Sequence, residues 1–230
     1  MSVSIVIPAH DEAPVIGALV RACREIPRIT EVVVVDDASR DDTGTRAAQA
    51  GANVVRCAHN VGKGAAVRRG AAIATGDVLV LLDGDGQDPP AEIPRLLAAI
   101  DAGADLVIGS RFLGDFAPGA ITRIDHAGNR ALSWTFGLLF GVALTDTQAG
   151  FRAIRRELFA SLRLQARRFD IETELLGRAL QAGACVVEVP VTRHPRAHGT
   201  TRLRRVADGL RILECMLRVR ATSPSIHPTR

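Results

Sequence analysis

The feature that most constrains the fold of this chain is a regular alternation of short β-branched runs with stretches of helical periodicity. Residues 31–36 contain four consecutive valines, which is typical of a strand buried on both faces. Strands that alternate with helices form parallel βαβ units, so we predict an α/β protein with a doubly wound, mostly parallel sheet. The predicted strands are residues 3–8, 31–36, 53–57, 77–83 and 105–109, and the helices between them are residues 12–26, 42–50, 64–74 and 90–101.

The second half of the sequence is more mixed and ends in a basic amphipathic helix, residues 203–220. Its apolar side chains fall on one stripe and its arginines on the other face. No linker composition interrupts the chain, so we predict one domain over residues 1–200, the helix within 201–220 and a frayed tail over 221–230. Helices are also predicted at residues 124–140 and 171–182, a loop and strand at 146–154 and a strand at 185–191; the apolar stripe is Leu203, Val206, Leu210, Leu213 and Leu217.

Positive charge is concentrated at the C-terminal end of the chain. The net charge is +4, and from residue 193 onward nine arginines stand against Asp208 and Glu214. This segment favours an anionic partner, such as a phosphate, a nucleic acid or an anionic membrane surface. Aromatic residues make up only 3% of the chain, and residues 1–192 are acidic on balance. Both observations argue against nucleic acid.

Apolar runs in the sequence are too short for a membrane span, which needs roughly 20 residues. Residues 3–8 fit a strand rather than a signal peptide, so we expect a cytoplasmic protein. The longest apolar run, residues 131–144, contains Trp134, Phe136 and Phe140 and fits either a core helix or an interfacial segment. Together with the basic helix it predicts peripheral contact with the inner face of the cell membrane.

Two carboxylates, Asp83 and Asp85, follow a run of valine and leucine and alternate with glycines. Ligands of doubly wound sheets bind beyond the carboxyl ends of the strands, where this pair is predicted to lie. Carboxylate oxygens suit Mg²⁺ or Mn²⁺, with water and diphosphate oxygens as further ligands. Gly84 and Gly86 allow the backbone to approach a ligand closely. The alternative is a plain Asp-Gly turn between a strand and a helix.

Lys63 is the only lysine in the chain, and the other 28 strongly basic residues are arginine. It stands between Gly62 and Gly64 at a predicted helix start, which is a natural anion site; the alternative is an ordinary surface loop. The spacing is not that of a P-loop, and no Gly-x-Gly-x-x-Gly follows the first strand. A dinucleotide-dependent dehydrogenase is therefore disfavoured. Asp36 and Asp37 end the second strand and are candidate acceptors for a base or ribose.

A series of motifs, taken in order, resembles glycosyltransferase family 2, which has the GT-A fold. Within that family the chain is similar to the polyprenyl-phosphate mannosyl- and glucosyltransferases, over about residues 3–213. The motifs are Ile-Val-Ile-Pro-Ala-His-Asp-Glu, Val-Val-Val-Asp-Asp-Ala-Ser, Asn-Val-Gly-Lys-Gly, Asp-Gly-Asp-Gly-Gln-Asp, Gly-Ser-Arg-Phe and Thr-Asp-Thr-Gln-Ala-Gly-Phe.

The resemblance implies a role for each matching position. Asp83, Asp85 and Gln87 would bind the metal and the donor diphosphate, and the loop from Arg196 to Arg202 would fold over that diphosphate. Three departures stand out: Asp11 where asparagine is common, Thr201 and Arg202 for serine and lysine, and His126 for a serine that often helps to bind the acceptor. The implied donor-binding residues are Pro8, Ala9, Glu12, Asp37, Lys63, Asp83, Gly84 and Arg202; the acceptor-binding residues are Arg111, Arg123 and His126; the catalytic residues are Asp85, Asp146 and Arg196.

The implied reaction is transfer of a hexose, with inversion at C1, from GDP-mannose or UDP-glucose to a polyprenyl phosphate. A phosphate acceptor is already ionised near neutral pH, whereas an alcohol would need a general base. Asp146 is the candidate base or acceptor-positioning carboxylate; a turn aspartate is the alternative. Two rival functions are a transferase with a soluble sugar or metabolite acceptor and a non-catalytic nucleotide-sugar-binding module. The presence of Asp83, Asp85, Lys63 and Arg196 disfavours the module.

Overall fold

The computed structural model describes residues 1–196, 198–199 and 205–222. Within these ranges the fold is built on one seven-stranded sheet of order β3-β2-β1-β4-β6-β5-β7. Only β6 runs antiparallel to its neighbours, β4 and β5, so the predicted mostly parallel, doubly wound sheet is confirmed. The strands are β1 (Val3–Ala9), β2 (Ile29–Asp36), β3 (Asn53–Arg56), β4 (Val78–Leu81), β5 (Leu106–Ser110), β6 (Arg152–Arg155) and β7 (Val186–Pro190).

Helices flank the sheet on both faces, at the positions that periodicity predicts. One short helix, α6, was not predicted, because six residues are too few to show a helical period. The helices are α1 (Ala13–Arg24), α2 (Thr43–Gln49), α3 (Lys63–Ile73), α4 (Ile93–Asp101, preceded by a 3₁₀ turn at Pro90–Glu92), α5 (Arg123–Phe140), α6 (Arg156–Ser161), α7 (Ile171–Gln181) and α8 (Arg205–Ala221).

The valine run of β2 is buried on both faces, as its composition predicts. Val32 and Val34 pack in the core that contains α1 and α4, whereas Val33 and Val35 pack on the opposite face with Ala66 of α3. Alternate side chains of a strand point to opposite faces, so a continuous apolar run requires cover on both sides.

Strand β4 is shorter than predicted, which changes the setting of the two aspartates. The strand ends at Leu81, and Leu82 makes one more backbone hydrogen bond, to the carbonyl of Val6 at 3.1 Å. The chain then turns, so Asp83 and Asp85 lie in the loop beyond the strand. Because β1 and β4 are parallel, this loop lies beside the end of β1.

Helix α8 is present, but the predicted apolar stripe is not the face that packs on the protein. Val206, Leu210 and Leu217 are 77%, 63% and 60% exposed. A second apolar face packs instead in the core beside α5 and α7, because Met216 and Phe136 belong to the same buried cluster. Leu213 is partly buried against that cluster, and Leu203 lies outside the described residues. The buried side chains of α8 are Asp208, Ile212, Cys215, Met216 and Val219.

The apolar run in α5 also divides between core and surface. Phe136 is fully buried and stacks on Phe140 with ring centroids 4.2 Å apart. Trp134 is 68% exposed. Only part of the segment proposed for membrane contact is therefore at the surface. None of the helices within the described ranges is both long and apolar enough to cross a bilayer.

Candidate active site

A cavity of about 550 Å³ lies beyond the carboxyl ends of β1 and β2. Six of the residues assigned to donor binding line it, so the sequence motifs converge in space as expected. The largest aromatic group in its wall is Phe169, which precedes α7. The predicted lining residues are Pro8, Ala9, Glu12, Asp37, Lys63 and Asp83; the others are His10, Ala38, Arg40, Asn60, Gly62, Ala66, Arg168 and Phe169.

Asp37 uses its carboxylate to hold a loop of the cavity wall. Its two oxygens accept hydrogen bonds from the backbone nitrogens of Val61 at 2.7 Å and Gly62 at 2.9 Å. Asp36 similarly accepts from the nitrogen of Ser39 at 2.9 Å. Both carboxylates therefore shape the loops around the cavity, and the base or ribose contact considered from the sequence stays a prediction.

Lys63 lies between two carboxylates at the floor of the cavity. Its Nζ is 2.7 Å from Asp83 Oδ1 and 2.6 Å from Glu172 Oε1. Burial lowers the pKa of Lys63, but the two carboxylates outweigh burial and hold this pKa above its ordinary value. Gly150 makes room for the group, because a Cβ there would lie 2.8 Å from both Asp83 Oδ2 and Lys63 Nζ.

Arg196 covers the second aspartate of the pair. Its terminal nitrogens lie 3.0 Å from Asp85 Oδ2 and 3.0 Å from Glu12 Oε1. Burial raises the pKa of Glu12 from 4.5 to about 7, although Arg196 opposes this shift. Gly84 lets the loop lie close to β1, since a Cβ there would be 3.1 Å from the carbonyl oxygen of Pro8. Arg202, which was also assigned to donor binding, lies outside the described residues.

Asp83 and Asp85 offer hard oxygen ligands to a divalent cation, and they fit such an ion only together with other ligands. Gln87 is engaged elsewhere: its Oε1 accepts from Arg193 at 2.8 Å and its Nε2 donates to the carbonyl of His194 at 3.0 Å. Among the described residues, no three acidic, histidine or cysteine side chains are grouped to hold a metal. A diphosphate and water would therefore have to complete the coordination.

A second cavity, of about 250 Å³, adjoins the first. Lys63, Asp83 and Phe169 line both cavities, so these three side chains form the boundary between them. The second cavity is bounded by α5 and α8. Its remaining lining residues are Arg111, Ile124, Asp125, Gly128, Asn129, Leu132, Gln148, Glu172, Arg193, Arg205, Gly209 and Ile212.

Asp146 is fully buried and holds Arg111 in the wall of the second cavity. Its carboxylate accepts from Arg111 Nε at 2.6 Å, Arg111 Nη2 at 2.7 Å and the Arg111 backbone nitrogen at 3.1 Å. Glu188 in turn accepts from the backbone nitrogens of Thr145 and Asp146, at 2.7 and 2.8 Å. A carboxylate with 0% exposure and a bidentate partner is placed to position an arginine rather than to remove a proton from an acceptor.

Two of the predicted acceptor residues lie outside both cavities. Arg123 is exposed at the first residue of α5. The ring of His126 packs edge-on against Phe112 and Phe116, with centroids 4.9 and 5.8 Å away. The arginines that join Arg111 in the cavity wall are Arg193 and Arg205.

Several residues of the site escaped the sequence analysis because no local motif marks them. Arg193 comes from the segment after β7 and pairs with Asp88 at 3.0 Å. Arg152 is fully buried in β6 and donates to the carbonyls of Thr147 and Glu172, each at 2.7 Å. Glu172 stands with Glu174 in the first turn of a predicted helix, where acidic side chains are common, so its position alone does not indicate a site.

A doubly wound sheet whose strand ends open onto a nucleotide-sized cavity with two neighbouring aspartates is the arrangement of the GT-A glycosyltransferases. The model of the family described as "Glycosyl transferase family 2" matches residues 4–163, and the chain belongs to that family. The predicted fold and the resemblance to polyprenyl-phosphate glycosyltransferases are thereby confirmed.

Related proteins and solved structures agree with this assignment. Glycosyltransferase AglJ of Haloferax volcanii is 34% identical over 97% of this chain and 74% of its own length. The polyprenol monophosphomannose synthase of Mycolicibacterium smegmatis is 34% identical over 94% of this chain and 84% of its own. The glucosyl-3-phosphoglycerate synthase of Mycobacterium tuberculosis, solved with Mn²⁺, uridine diphosphate and glucosyl-3-phosphoglycerate, has a TM-score of 0.76 at 25% identity, covering 97% of this chain and 81% of that one.

Proposed function

We propose that this chain is an inverting hexosyltransferase that moves a sugar from GDP-mannose or UDP-glucose to a polyprenyl phosphate. The observation that carries the proposal is the meeting of two cavities at Asp83 and Lys63. One has the size and polar lining of a nucleotide site, and the other is lined by Arg111, Arg193 and apolar side chains of α5 and α8. Relatives named polyprenol monophosphomannose synthase and undecaprenyl-phosphate mannosyltransferase support this choice of acceptor.

On the donor side, Asp83 and Asp85 would hold Mg²⁺ or Mn²⁺ on the diphosphate of the nucleotide sugar. Solved relatives that contain Mn²⁺ or Mg²⁺ with uridine diphosphate support this assignment. When bound, such an ion supplies positive charge to the leaving diphosphate. Arg196 would leave Asp85 and place its guanidinium against the same diphosphate. Removal of one such stabilising group typically costs about 10²- to 10³-fold in rate.

On the acceptor side, Arg111 and Arg193 would bind the acceptor phosphate and direct one of its oxygens at C1 of the hexose. The bond from C1 to the acceptor oxygen forms as the bond from C1 to the diphosphate breaks, and the nucleoside diphosphate carries away the electron pair. A phosphate needs no general base near neutral pH. The burial of Asp146 against Arg111 therefore agrees with a positioning role.

The lipid part of the acceptor would enter from a bilayer that lies against α5 and α8. Six large apolar side chains on these helices are at least 60% exposed, and Arg205 and Arg220 connect α8 to α5 at opposite ends. Basic side chains beside an exposed apolar helix face favour an anionic membrane surface. This α5–α8 apolar face consists of Ile124, Trp134, Leu138, Val206, Leu210 and Leu217.

Transfer assays with matched acceptors test the proposal. UDP-glucose and GDP-mannose are supplied with Mn²⁺ or Mg²⁺, alone, with a polyprenyl phosphate, or with 3-phosphoglycerate. We expect metal-dependent transfer to the polyprenyl phosphate. Transfer to 3-phosphoglycerate alone would favour the second candidate, a transferase with a soluble phosphorylated acceptor, which the similarity to glucosyl-3-phosphoglycerate synthase suggests. Failure to bind or use either donor would contradict both candidate functions.

A further inference from the structure

Glu172 is a buried acidic residue at the start of α7 to which neither the metal site nor the phosphate sites assign a role. Its side chain is 7% exposed, and its Oε1 lies 2.6 Å from Lys63 Nζ. That ammonium is the one polar side-chain contact of the carboxylate within the described part of the chain. A carboxylate can accept about four hydrogen bonds, so most of its accepting capacity is available to a ligand.

Two buried cations lie near Glu172, but among the described residues only Lys63 bonds its carboxylate. Lys63 Nζ faces Asp83 and Glu172 at 2.7 and 2.6 Å, and the buried Arg152 adds a second positive charge that acts on Glu172 through space. The guanidinium of Arg152 donates to backbone carbonyls instead, among them that of Glu172 at 2.7 Å. Burial of a carboxylate costs free energy unless it is hydrogen-bonded, and a hydroxyl-rich ligand would supply further donors.

The position of Glu172 identifies the part of the substrate that meets it. Three side chains line both cavities: Lys63, Asp83 and Phe169. Glu172 lines the second cavity but not the first, which is the proposed nucleotide site. In the proposed reaction C1 of the hexose lies between the leaving diphosphate and the acceptor phosphate. The sugar ring must then occupy the boundary between the cavities, over Lys63 and beside Glu172.

We propose that Glu172 is a hexose-binding residue, which accepts a hydrogen bond from a hydroxyl group of the donor sugar while Lys63 holds its carboxylate in place. This inference rests on the proposed function, because it takes the donor to be a nucleotide sugar. Gln148 lines the same cavity, and its amide is held by the hydroxyls of Thr147 and Thr173 at 2.9 and 3.3 Å. The subsite therefore contains both a charged acceptor and an amide.

Binding measurements separate the sugar from the nucleotide. Calorimetry with Mn²⁺ compares UDP with UDP-glucose and GDP with GDP-mannose, for the wild type, Glu172→Gln and Glu172→Asp. We expect both variants to bind the nucleotide sugar about 10- to 100-fold more weakly, because a hydrogen bond to a charged group is lost, and to bind the nucleoside diphosphate unchanged. Glu157→Gln, on the exposed surface of α6, is the matched control.

Deoxy-sugar donors identify the hydroxyl and exclude a merely structural role. In the wild type, one deoxy-sugar donor should bind more weakly than the parent donor. In Glu172→Gln, the same deoxy-sugar donor and the parent donor should bind with equal affinity, because the effects of removing two groups that contact each other are not additive. Equal losses for nucleoside diphosphate and nucleotide sugar would overturn the inference. Glu172→Asp keeps the charge beside Lys63, so it keeps the test valid if Glu172→Gln does not fold. Failure of the wild type to bind any nucleotide sugar would instead overturn the proposed function itself.

Discussion

Arg196 Nη2 lies 3.0 Å from Asp85 Oδ2, on the carboxylate that the proposed reaction assigns to a divalent cation. The guanidinium and the cation would compete for this oxygen. We therefore predict that Arg196→Gln binds Mn²⁺ alone about 10-fold more tightly than the wild type, because a charge-assisted hydrogen bond no longer has to be broken.

The same variant should bind Mn²⁺ more weakly than the wild type when UDP or GDP is present, because the guanidinium then stabilises the diphosphate. Electron paramagnetic resonance of free Mn²⁺ measures both constants. Arg95→Gln, which removes a half-exposed arginine paired with Glu92, serves as the control. If the Mn²⁺ affinity changes in the same direction with and without nucleotide, Arg196 does not exchange between Asp85 and the diphosphate.

Arg111 and Arg123 were both predicted to face the acceptor phosphate, and the structure places only Arg111 in the cavity wall. Arg111→Lys keeps the charge but loses the bidentate geometry with Asp146. We predict that KM for the polyprenyl phosphate rises about 10-fold or more in this variant, since bidentate arginine pairs are among the stronger hydrogen bonds. Arg123→Lys should leave KM for the acceptor unchanged. Steady-state kinetics at saturating donor measure KM for the acceptor in both variants. A larger rise of this KM in Arg123→Lys would support the prediction from sequence that Arg123 faces the acceptor phosphate.

Glu12 should make the stability of the protein depend on pH. Its pKa is raised from 4.5 to about 7 by burial, so between these values the folded state binds more protons than the unfolded state. Stability therefore falls as the pH rises from about 4.5 to about 7 and then levels off with respect to this group. We predict that Glu12→Gln flattens this part of the profile, measured as thermal unfolding midpoints in EDTA. An unchanged slope in the variant would show that another group is responsible.

The α5–α8 apolar face should bind vesicles that contain anionic lipid. The double variant Leu210→Glu, Leu217→Glu places two charges in its centre, and we predict at least about a 10-fold loss of co-sedimentation, since each buried leucine contributes roughly 1.5–3 kcal/mol. Ile73→Glu alters a residue of α3 that is 41% exposed and serves as the matched control. If wild-type protein fails to pellet with anionic vesicles, this face binds something other than a membrane.

The sequence by itself determined the sheet and the grouping of several candidate site residues around one cavity. The valines of β2 must be covered on both faces, because strand side chains alternate, and this requirement alone implies helices on both sides of a parallel sheet. Residues that follow parallel strands meet at one edge of the sheet. For that reason Pro8, Asp37 and Asp83, which are distant in sequence, were correctly placed around one cavity.

Only the tertiary structure decided how charges pair and which apolar face of α8 is buried. Arg193 reaches the site from the end of β7, and Glu172 reaches Lys63 across a separation of more than 100 residues; local motifs carry no record of such distant contacts. Both apolar faces of α8 have helical spacing, and packing against α5 and α7 selected Met216 rather than Leu210 for the core. Periodicity shows that a face can be buried, whereas the neighbouring elements determine which face is buried.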